Sequence, residues 1–468
     1  MTRLSERALA SSLFVVVLTF AVSASAQTYT ELLSFDGDII AAPIIPLTQG
    51  VDGALYGATR YGGTGDCFDG SGIGCGVVFK GTPEGGFRII YNFQPDQNGY
   101  LPQNNLTLGP DGNLYGTASR GQGMIVRITP DGIFTIVHAF SGPDGNGLLG
   151  GLTLGTDGNF YGTTIGGGQP SKFCPNGCGT IYKVTPSGVV TTLYSFCPEN
   201  YCPDGTSPRG ALAEGTDGNF YGTTYGGGLY KVGTMFKVSP KGTFKLLYTF
   251  QNGNPQLYSG LMLASDGNFY GAESLSGLYR ITPQGSFTQL ANPGNVPNLP
   301  IEGSDRNLYG TTAQAGSPPY GNAFEMPFDG SPTTLHMFTG YPTDGSELWS
   351  GLVQHTNGIF YGITYSGGSS PCNYSYPGCG TIFSVDMGLP PFVAFLRGGG
   401  RVGKRFGVLG QGFTGTTSVL LNGTPASFVV KADTFLIVTV PAGATTGYVT
   451  VNTPSRPLTS NVPFYVKP

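Results

Sequence analysis

Residues able to do chemistry are few in this chain and unevenly spread. Eight cysteines fall into four close couples: Cys67/Cys75, Cys174/Cys178, Cys197/Cys202 and Cys372/Cys379. Such spacings suit either short disulfide loops or thiolate zinc sites. No histidine lies near any couple, and in an oxidising compartment disulfides are the expected state. Closing loops this short stabilises by only about 2 kcal/mol each. The expected bridges therefore pin local loops and do not hold the fold together.

Flat aromatic rings beside carboxylates suit sugars, whose C–H faces stack while their hydroxyls hydrogen-bond. Tyr100, Tyr201, Tyr258, Tyr341 and Trp349, with Asp144, Asp204 and Asp344, make up such a set. Two facts weigh against any one of them: tyrosine occurs 26 times, and Asp before Gly is ordinary turn chemistry. Catalytic signals are sparse. The three histidines, His138, His336 and His355, read as scaffold residues, and no nucleophile elbow, zinc-protease motif or nucleotide loop stands in a suitable context. Glu273 is the one weak catalytic candidate, because it interrupts a recurrent Gly-Thr-Thr pattern as Gly271-Ala-Glu-Ser274. No metal and no cofactor is expected.

The elements that must position these residues follow from composition and repetition. The chain has 468 residues, of which 78 are Gly and 35 Pro. That excess excludes helix bundles, since Gly is a poor helix former. Aromatics at 12 % against only 11 % charged residues supply too much apolar surface for a disordered chain. Short strands joined by many turns remain.

One phrase recurs seven times: Asp52-Gly-Ala-Leu-Tyr-Gly57, Asp111-Gly-Asn-Leu-Tyr-Gly116, Asp157-Gly-Asn-Phe-Tyr-Gly162 and Asp217-Gly-Asn-Phe-Tyr-Gly222 come first. Asp266-Gly-Asn-Phe-Tyr-Gly271, Asp305-Arg-Asn-Leu-Tyr-Gly310 and Asn357-Gly-Ile-Phe-Tyr-Gly362 follow. Each copy holds four short apolar or alternating runs, so the sequence predicts seven four-stranded blades of a β-propeller. The Asp-Gly-Asn phrase is a hairpin turn with Gly supplying a positive φ. A calcium loop is not indicated, because each copy offers one carboxylate and the spacing of a calcium loop is absent. Residues 29–35 look like a fourth strand, while the seventh copy lacks one. The N-terminal strand is thus expected to complete the last blade and close the ring, removing exposed edges.

The phrases D-G-N-[LF]-Y-G-T-T, G-T-[IM]-[FY]-K-V-[TS]-P and L-Y-[ST]-F over residues 29–386 resemble exported bacterial proteins with GloVer-type tandem repeats, a resemblance that implies a propeller. At the level of one turn, D-G-N-L-Y is also similar to streptogramin-lyase-like propellers. After residue 388 the pattern changes. Gly410-Gln-Gly-Phe413, Asn422-Gly-Thr-Pro-Ala426, the Val440-Pro-Ala-Gly443 corner and Phe464-Tyr-Val466 resemble the IPT/TIG family of Ig-like domains. That resemblance implies an accessory β-sandwich over 389–468 and no catalytic residue.

Residues 1–26 read as a secretory signal, with Arg3 and Arg7, an apolar core, and Ala24-Ser25-Ala26 before the cut. Its removal takes away Arg3, Arg7 and Glu6, so 23 basic and 27 acidic residues become 21 and 26, a net charge of −5. A mildly acidic chain argues against nucleic acid as partner. A monomer, secreted or held at the cell surface or in the periplasm, is expected over 27–388 and 389–468, with no membrane insertion after cleavage.

In a four-stranded blade the tight Asp-Gly-Asn turns lie on one face, and the long, cysteine-bearing links lie on the other. Function favours variable loops on a rigid scaffold. The sequence therefore predicts a non-catalytic binding protein whose stapled loop face takes a glycan or an extracellular protein. The alternatives are a propeller lyase or hydrolase acting on a polysaccharide or lactone-like substrate, and a structural surface component.

Overall fold

A computed structural model describes residues 27–467, apart from 37–39, 42, 66, 68–73, 95–99, 103, 120, 200, 252–256, 258, 317–318 and 373–377. The signal-like segment 1–26 lies outside the described residues, as does Tyr258. Every regular element among the described residues is a strand, and no helix there is long and apolar enough to cross a membrane.

Residues 28–386 form seven antiparallel sheets of four or five strands. The third is representative: Thr153–Leu154, Phe160–Thr164, Thr180–Val184 and Val190–Ser195 pair in that order. In one sheet sequence order breaks. Thr28–Ser34 pairs antiparallel with Thr381–Asp386, which pairs with Phe360–Thr364. The chain's first described strand thus occupies the outer position of the last sheet.

The recurrent phrase explains how neighbouring sheets pack. Consecutive strand residues point to opposite faces, so the Leu or Phe and the Tyr of each phrase face different neighbours. Tyr115 lies against Phe160 at 4.3 Å, Tyr161 against Phe220 at 3.7 Å, Tyr221 against Phe269 at 4.2 Å and Tyr309 against Phe360 at 4.0 Å between ring centroids. Where the partner is Leu the same contact recurs: Tyr56 shares a core cluster with Leu114, Tyr270 with Leu308 and Tyr361 with Leu55. The last of these joins the seventh sheet to the first, so the sheets run in a closed, propeller-like circuit.

The turn itself is an Asp–Tyr clamp. In the third copy Asp157 Oδ1 accepts from the Asn159 amide at 3.0 Å, and Oδ2 accepts from the Tyr161 hydroxyl at 2.8 Å. Gly158 between them sits at φ +86°, where a side chain is disfavoured. Six copies bond Asp to Tyr in this way. In the seventh, Asn357 Nδ2 donates to the Tyr361 hydroxyl at 3.0 Å.

Residues 393–467 form two four-stranded antiparallel sheets around one apolar core that includes Phe406, Val419, Leu436, Val451 and Phe464. This unit rests on the turn side of the seven sheets. Thr434 Oγ1 donates to the Val51 carbonyl at 2.8 Å, Gln411 Nε2 to Thr356 Oγ1 at 2.9 Å, and Arg397 to the Thr156 carbonyl at 3.1 Å. Arg306 shows what this seat requires. It holds the Gly position of its turn at φ 71°, and its guanidinium reaches the Tyr448 hydroxyl at 2.5 Å.

Candidate functional site

With the turn side occupied by the C-terminal unit, the loop side stays open at the centre of the circuit. There the segments leading into the first strands of all seven sheets converge on a cavity of about 620 Å³. Convergence depends on missing side chains. A Cβ on Gly210 would stand 2.5 Å from the Gly260 Cα, a separation no packed structure tolerates.

The lining is largely glycine and aliphatic side chains, among them Ile44, Val296 and Leu299, with a few polar groups and one aromatic ring. Asn104, Asn105, Asn298 and Ser350 contribute polar groups, Trp349 a ring and Arg209 a guanidinium. Asn298 Nδ2 donates to Thr311 Oγ1 at 2.9 Å and to the Leu348 carbonyl at 2.6 Å, and Thr311 Oγ1 donates to the Ser350 carbonyl at 2.7 Å. Asn104 Nδ2 donates to the Leu149 carbonyl. The Arg209 guanidinium stacks on Tyr225 at 3.9 Å. Trp349 keeps 43 % of its surface exposed, and the Ser350 hydroxyl has no hydrogen-bond partner among the described residues. No Asp or Glu lines the cavity among the described residues.

Two of the chain's non-glycine residues with positive φ lie at or beside the cavity. Val296 and Glu347, which immediately precede Pro297 and Leu348, adopt φ 53° and 56°. A β-branched residue in that region is an outlier, and such conformations cluster where function needs them.

The sequence-derived candidates divide. Trp349 lines the cavity. Tyr100 lies on Tyr100–Pro102, at the edge of the second sheet. Tyr201 is 74 % exposed beside Phe173 on the loop closed by Cys197–Cys202, and Tyr341 is exposed in the link before the seventh sheet; neither lines the cavity.

Asp144, Asp204 and Asp344 are engaged within the chain. Each clasps its crossover link to the preceding outer strand: Asp144 Oδ2 meets His138 Nε2 at 2.8 Å, Asp204 Oδ2 accepts from Tyr194 at 2.8 Å, and Asp344 Oδ2 meets His336 Nε2 at 2.8 Å. Asp344 also accepts from Tyr29 at 2.7 Å, while the Tyr29 ring stacks on His336 at 3.6 Å. Burial raises the Asp344 carboxyl, but bonds from His336 and Tyr29 outweigh it and hold it below its ordinary value. At Asp204 burial prevails and the carboxyl is pushed up. These three carboxylates serve as clasps, and none of them lines the cavity.

Glu273 is buried. Its neighbours Ala272 and Ser274 line the cavity, so alternation along the strand turns Glu273 away from it. Burial raises its carboxyl, and its charge bears on Tyr248 and Tyr279. It fills the slot where Thr164 and Thr224 bridge the second and third strands of their sheets.

The four cysteine couples form four disulfides, Cys67–Cys75, Cys174–Cys178, Cys197–Cys202 and Cys372–Cys379. Each closes a short local loop, with sequence separations of 8, 4, 5 and 7, and at least one end of each is buried. Cys75 and Cys379 are buried, and each lies two residues before the third strand of its sheet, Val77–Thr82 and Thr381–Asp386. Cys75 belongs to the core cluster of Tyr56 and Val78, and Cys379 to that of Phe35 and Ile382. Cys178, Cys197 and Cys202 are buried as well. A half-cystine packs as a small apolar group, so each bridge ties its loop into the core between sheets. None of the eight cysteines lines the cavity. Two bridges adjoin, with Cys178 and Cys202 Sγ 4.0 Å apart. His355 is buried, with Nε2 3.0 Å from the Gly53 carbonyl and Nδ1 accepting from the Asn357 amide at 3.2 Å.

Fold and sequence together define an all-β repeat protein with a propeller-like circuit. Residues 118–294 match the family model described as the Gloeobacter/Verrucomicrobia repeat. No curated protein sequence matches the chain. Among solved structures, the extracellular domain of a protein assigned to the hybrid two-component systems of Bacteroides thetaiotaomicron is 13 % identical. There the match covers 91 % of this chain and 52 % of that one, with TM-score 0.49. A gluconolactonase from Xanthomonas campestris is 13 % identical, covering 61 % and 86 %, with TM-score 0.38. A protein assigned as a gluconolactonase is 14 % identical, covering 66 % and 93 %, with TM-score 0.37.

Proposed function

We propose that the chain is an exported seven-bladed β-propeller with a C-terminal Ig-like sandwich of the IPT/TIG kind, and that it binds carbohydrate without transforming it. The observation that carries this reading is the cavity lining. A half-exposed indole stands beside amides and hydroxyls drawn from several sheets, with no carboxylate among the described lining residues. Carbohydrate rings stack on such an indole through their C–H faces while amides and hydroxyls take the ring oxygens. Glycosidic acid–base chemistry needs two carboxyl groups flanking the bond; the described lining supplies none, and a single carboxylate, Glu347, adjoins it, its Oε2 accepting from the Trp349 indole at 3.5 Å. The disulfide-pinned links leave the sheets on the same side as this opening without lining it, and the C-terminal unit occupies the opposite side. Four disulfides fit an oxidising, extracellular setting.

A glycan array probed with residues 27–468 and with Trp349→Ala tests the reading. The account expects a small set of glycans bound by the parent chain and lost in the variant. No binding to any glycan would overturn it, and release of product from a bound glycan would make the protein an enzyme.

A further inference from the structure

A dense cluster of positive charge lies on the side away from the loop-face cavity. Where the C-terminal unit meets the turns of the third and fourth sheets, a cleft of about 630 Å³ opens. Arg397, Arg401, Lys404, Arg405 and Lys467 line it, against two carboxylates, Asp157 and Glu214. Both carboxylates are engaged. Asp157 accepts from Tyr161 at 2.8 Å and Asn159 Nδ2 at 2.7 Å, and Glu214 accepts from Lys467 at 2.7 Å and Thr156 Oγ1 at 2.6 Å. Arg397 is spent on backbone, donating to the Thr156 carbonyl at 3.1 Å and the Arg405 carbonyl at 2.5 Å.

Three cations are left over. Arg401, Lys404 and Arg405 are exposed, and among the described residues none of their side chains forms an ion pair. Arg401 and Lys404 bound one reverse turn, closed by the Lys404 amide on the Arg401 carbonyl at 3.0 Å with Gly403 at φ +79°, and Arg405 opens the strand Arg405–Leu409 that follows. The strand entering this turn, Gly399–Arg401, pairs in parallel with Tyr465–Lys467, so the charges are held in a small, firm area. A chain of net charge −4 gains nothing in solubility from a same-sign cluster, whose self-repulsion is unfavourable until an anion relieves it.

We infer that this cleft docks an acidic polysaccharide, a polymer of carboxylated sugars whose successive carboxylates pair with Arg401, Lys404 and Arg405. Arginine takes carboxylates in bidentate fashion and lysine as a point charge. Nucleic acid fits less well. The aromatic rings of the cleft, Tyr161 and Phe220, are buried and stacked on each other at 3.7 Å, which leaves no ring for a base. A membrane surface fits less well too, because the turn offers only Val402, 49 % exposed, as apolar surface to insert.

The inference is independent of the loop-face reading, and one experiment separates them. Residues 27–468 are titrated with polygalacturonate, its fully methyl-esterified form, duplex DNA and phosphatidylglycerol vesicles. The expected result is binding to polygalacturonate alone, weakened at least about tenfold in the triple variant Arg401→Gln/Lys404→Gln/Arg405→Gln and unchanged in Trp349→Ala, as expected when charge-assisted pairs are removed. Binding should also fade between about 50 and 500 mM salt as screening shortens the range of the charges. Unchanged melting of the triple variant establishes that its fold is intact. Absence of polygalacturonate binding, equal binding by the triple variant, or tighter binding of DNA or vesicles would overturn the inference.

Discussion

Gln49 and Thr356 stand 307 residues apart and exchange hydrogen bonds: Gln49 Nε2 donates to Thr356 Oγ1 at 2.8 Å, and the Thr356 amide donates to Gln49 Oε1 at 3.0 Å. They occupy the inner ends of the first and seventh sheets. The same clasp recurs between Glu214 and Thr156, Glu302 and Ser265, and Gln354 and Ser304. What locks neighbours elsewhere in the circuit therefore also locks its two ends.

Gln49→Ala should cost about 1–3 kcal/mol, because it leaves the buried Thr356 amide without its partner. Urea unfolding measures this. A variant as stable as the parent would show that the seam does not depend on this clasp.

The turn clamp makes a prediction about both tyrosine and calcium. Tyr161→Phe removes one hydrogen bond and should cost about 0.5–1.5 kcal/mol, whereas Tyr161→Ala also removes the contact with Phe220 and should cost about 3–5 kcal/mol. Chelators should leave the melting temperature of the parent chain unchanged. A drop on chelation would mean that the turn carboxylates hold a cation.

Asp344 and Asp204, whose carboxyls are shifted in opposite directions, should respond unequally to loss of charge. A carboxyl held low contributes stability above its unfolded value, about 3.9, and loses it as pH falls through the folded value. Asp344→Asn should therefore destabilise at pH 7, by about 1.5–3 kcal/mol for a charged hydrogen bond. Asp204 is raised, so its contribution is largest at low pH and is lost as pH rises through the folded value. Asp204→Asn should cost clearly less at pH 7, and equal costs would contradict the assignment.

His355 gives a separate pH signature. Burial holds its imidazole below the usual value despite its bond to the Gly53 carbonyl and the influence of the Asn357 side chain. The unfolded chain takes up that proton from about pH 6.5 downward while the folded one resists. Stability should fall as pH drops through this window and then level off below the folded value. His355→Gln should flatten the slope between about pH 7 and 5, as read by thermal melts.

Reduction of the four disulfides should lower stability by about 2 kcal/mol for each loop while leaving the strand signal in circular dichroism intact. The freed thiols of Cys75 and Cys379 can stay where they are, since a buried thiol is a small apolar group. Collapse of that signal at 25 °C would show that the bridges hold the sheets as well as the loops.

The recurrent phrase made most of this architecture readable in advance. Asp-Gly-Asn announced a turn, and the four close cysteine couples pair as their spacing suggested. That spacing said nothing of depth, so the burial of Cys75 and Cys379 between sheets went unseen. The roles of the Leu or Phe and the Tyr as contacts to opposite neighbours were implicit in strand alternation. The clasping role of Asp144 and Asp344 had a signal too, since His138 and His336 occupy the slot that Tyr194 fills in the third sheet. Other features depend on contacts across long sequence distances and leave little local trace. Asn104, Asn298 and Arg209 look like loop residues until seven segments converge. The covering of the turn side by residues 393–467 had one clue, Arg306 in place of a turn glycine. Arg401, Lys404 and Arg405 are diluted by an acidic chain and matter only because folding leaves them unpaired.

The chain's only tryptophan, Trp349, stands in the cavity, so its fluorescence reports on that site alone. Titrating residues 27–468 with a glycan recovered from the array, under steady-state tryptophan emission, is the most direct measurement of the central claim. The account predicts a saturable change in intensity with a shift to shorter wavelength, as the half-exposed indole is covered by the sugar. Saturable binding by calorimetry with no change in Trp349 emission would place the ligand elsewhere and contradict it.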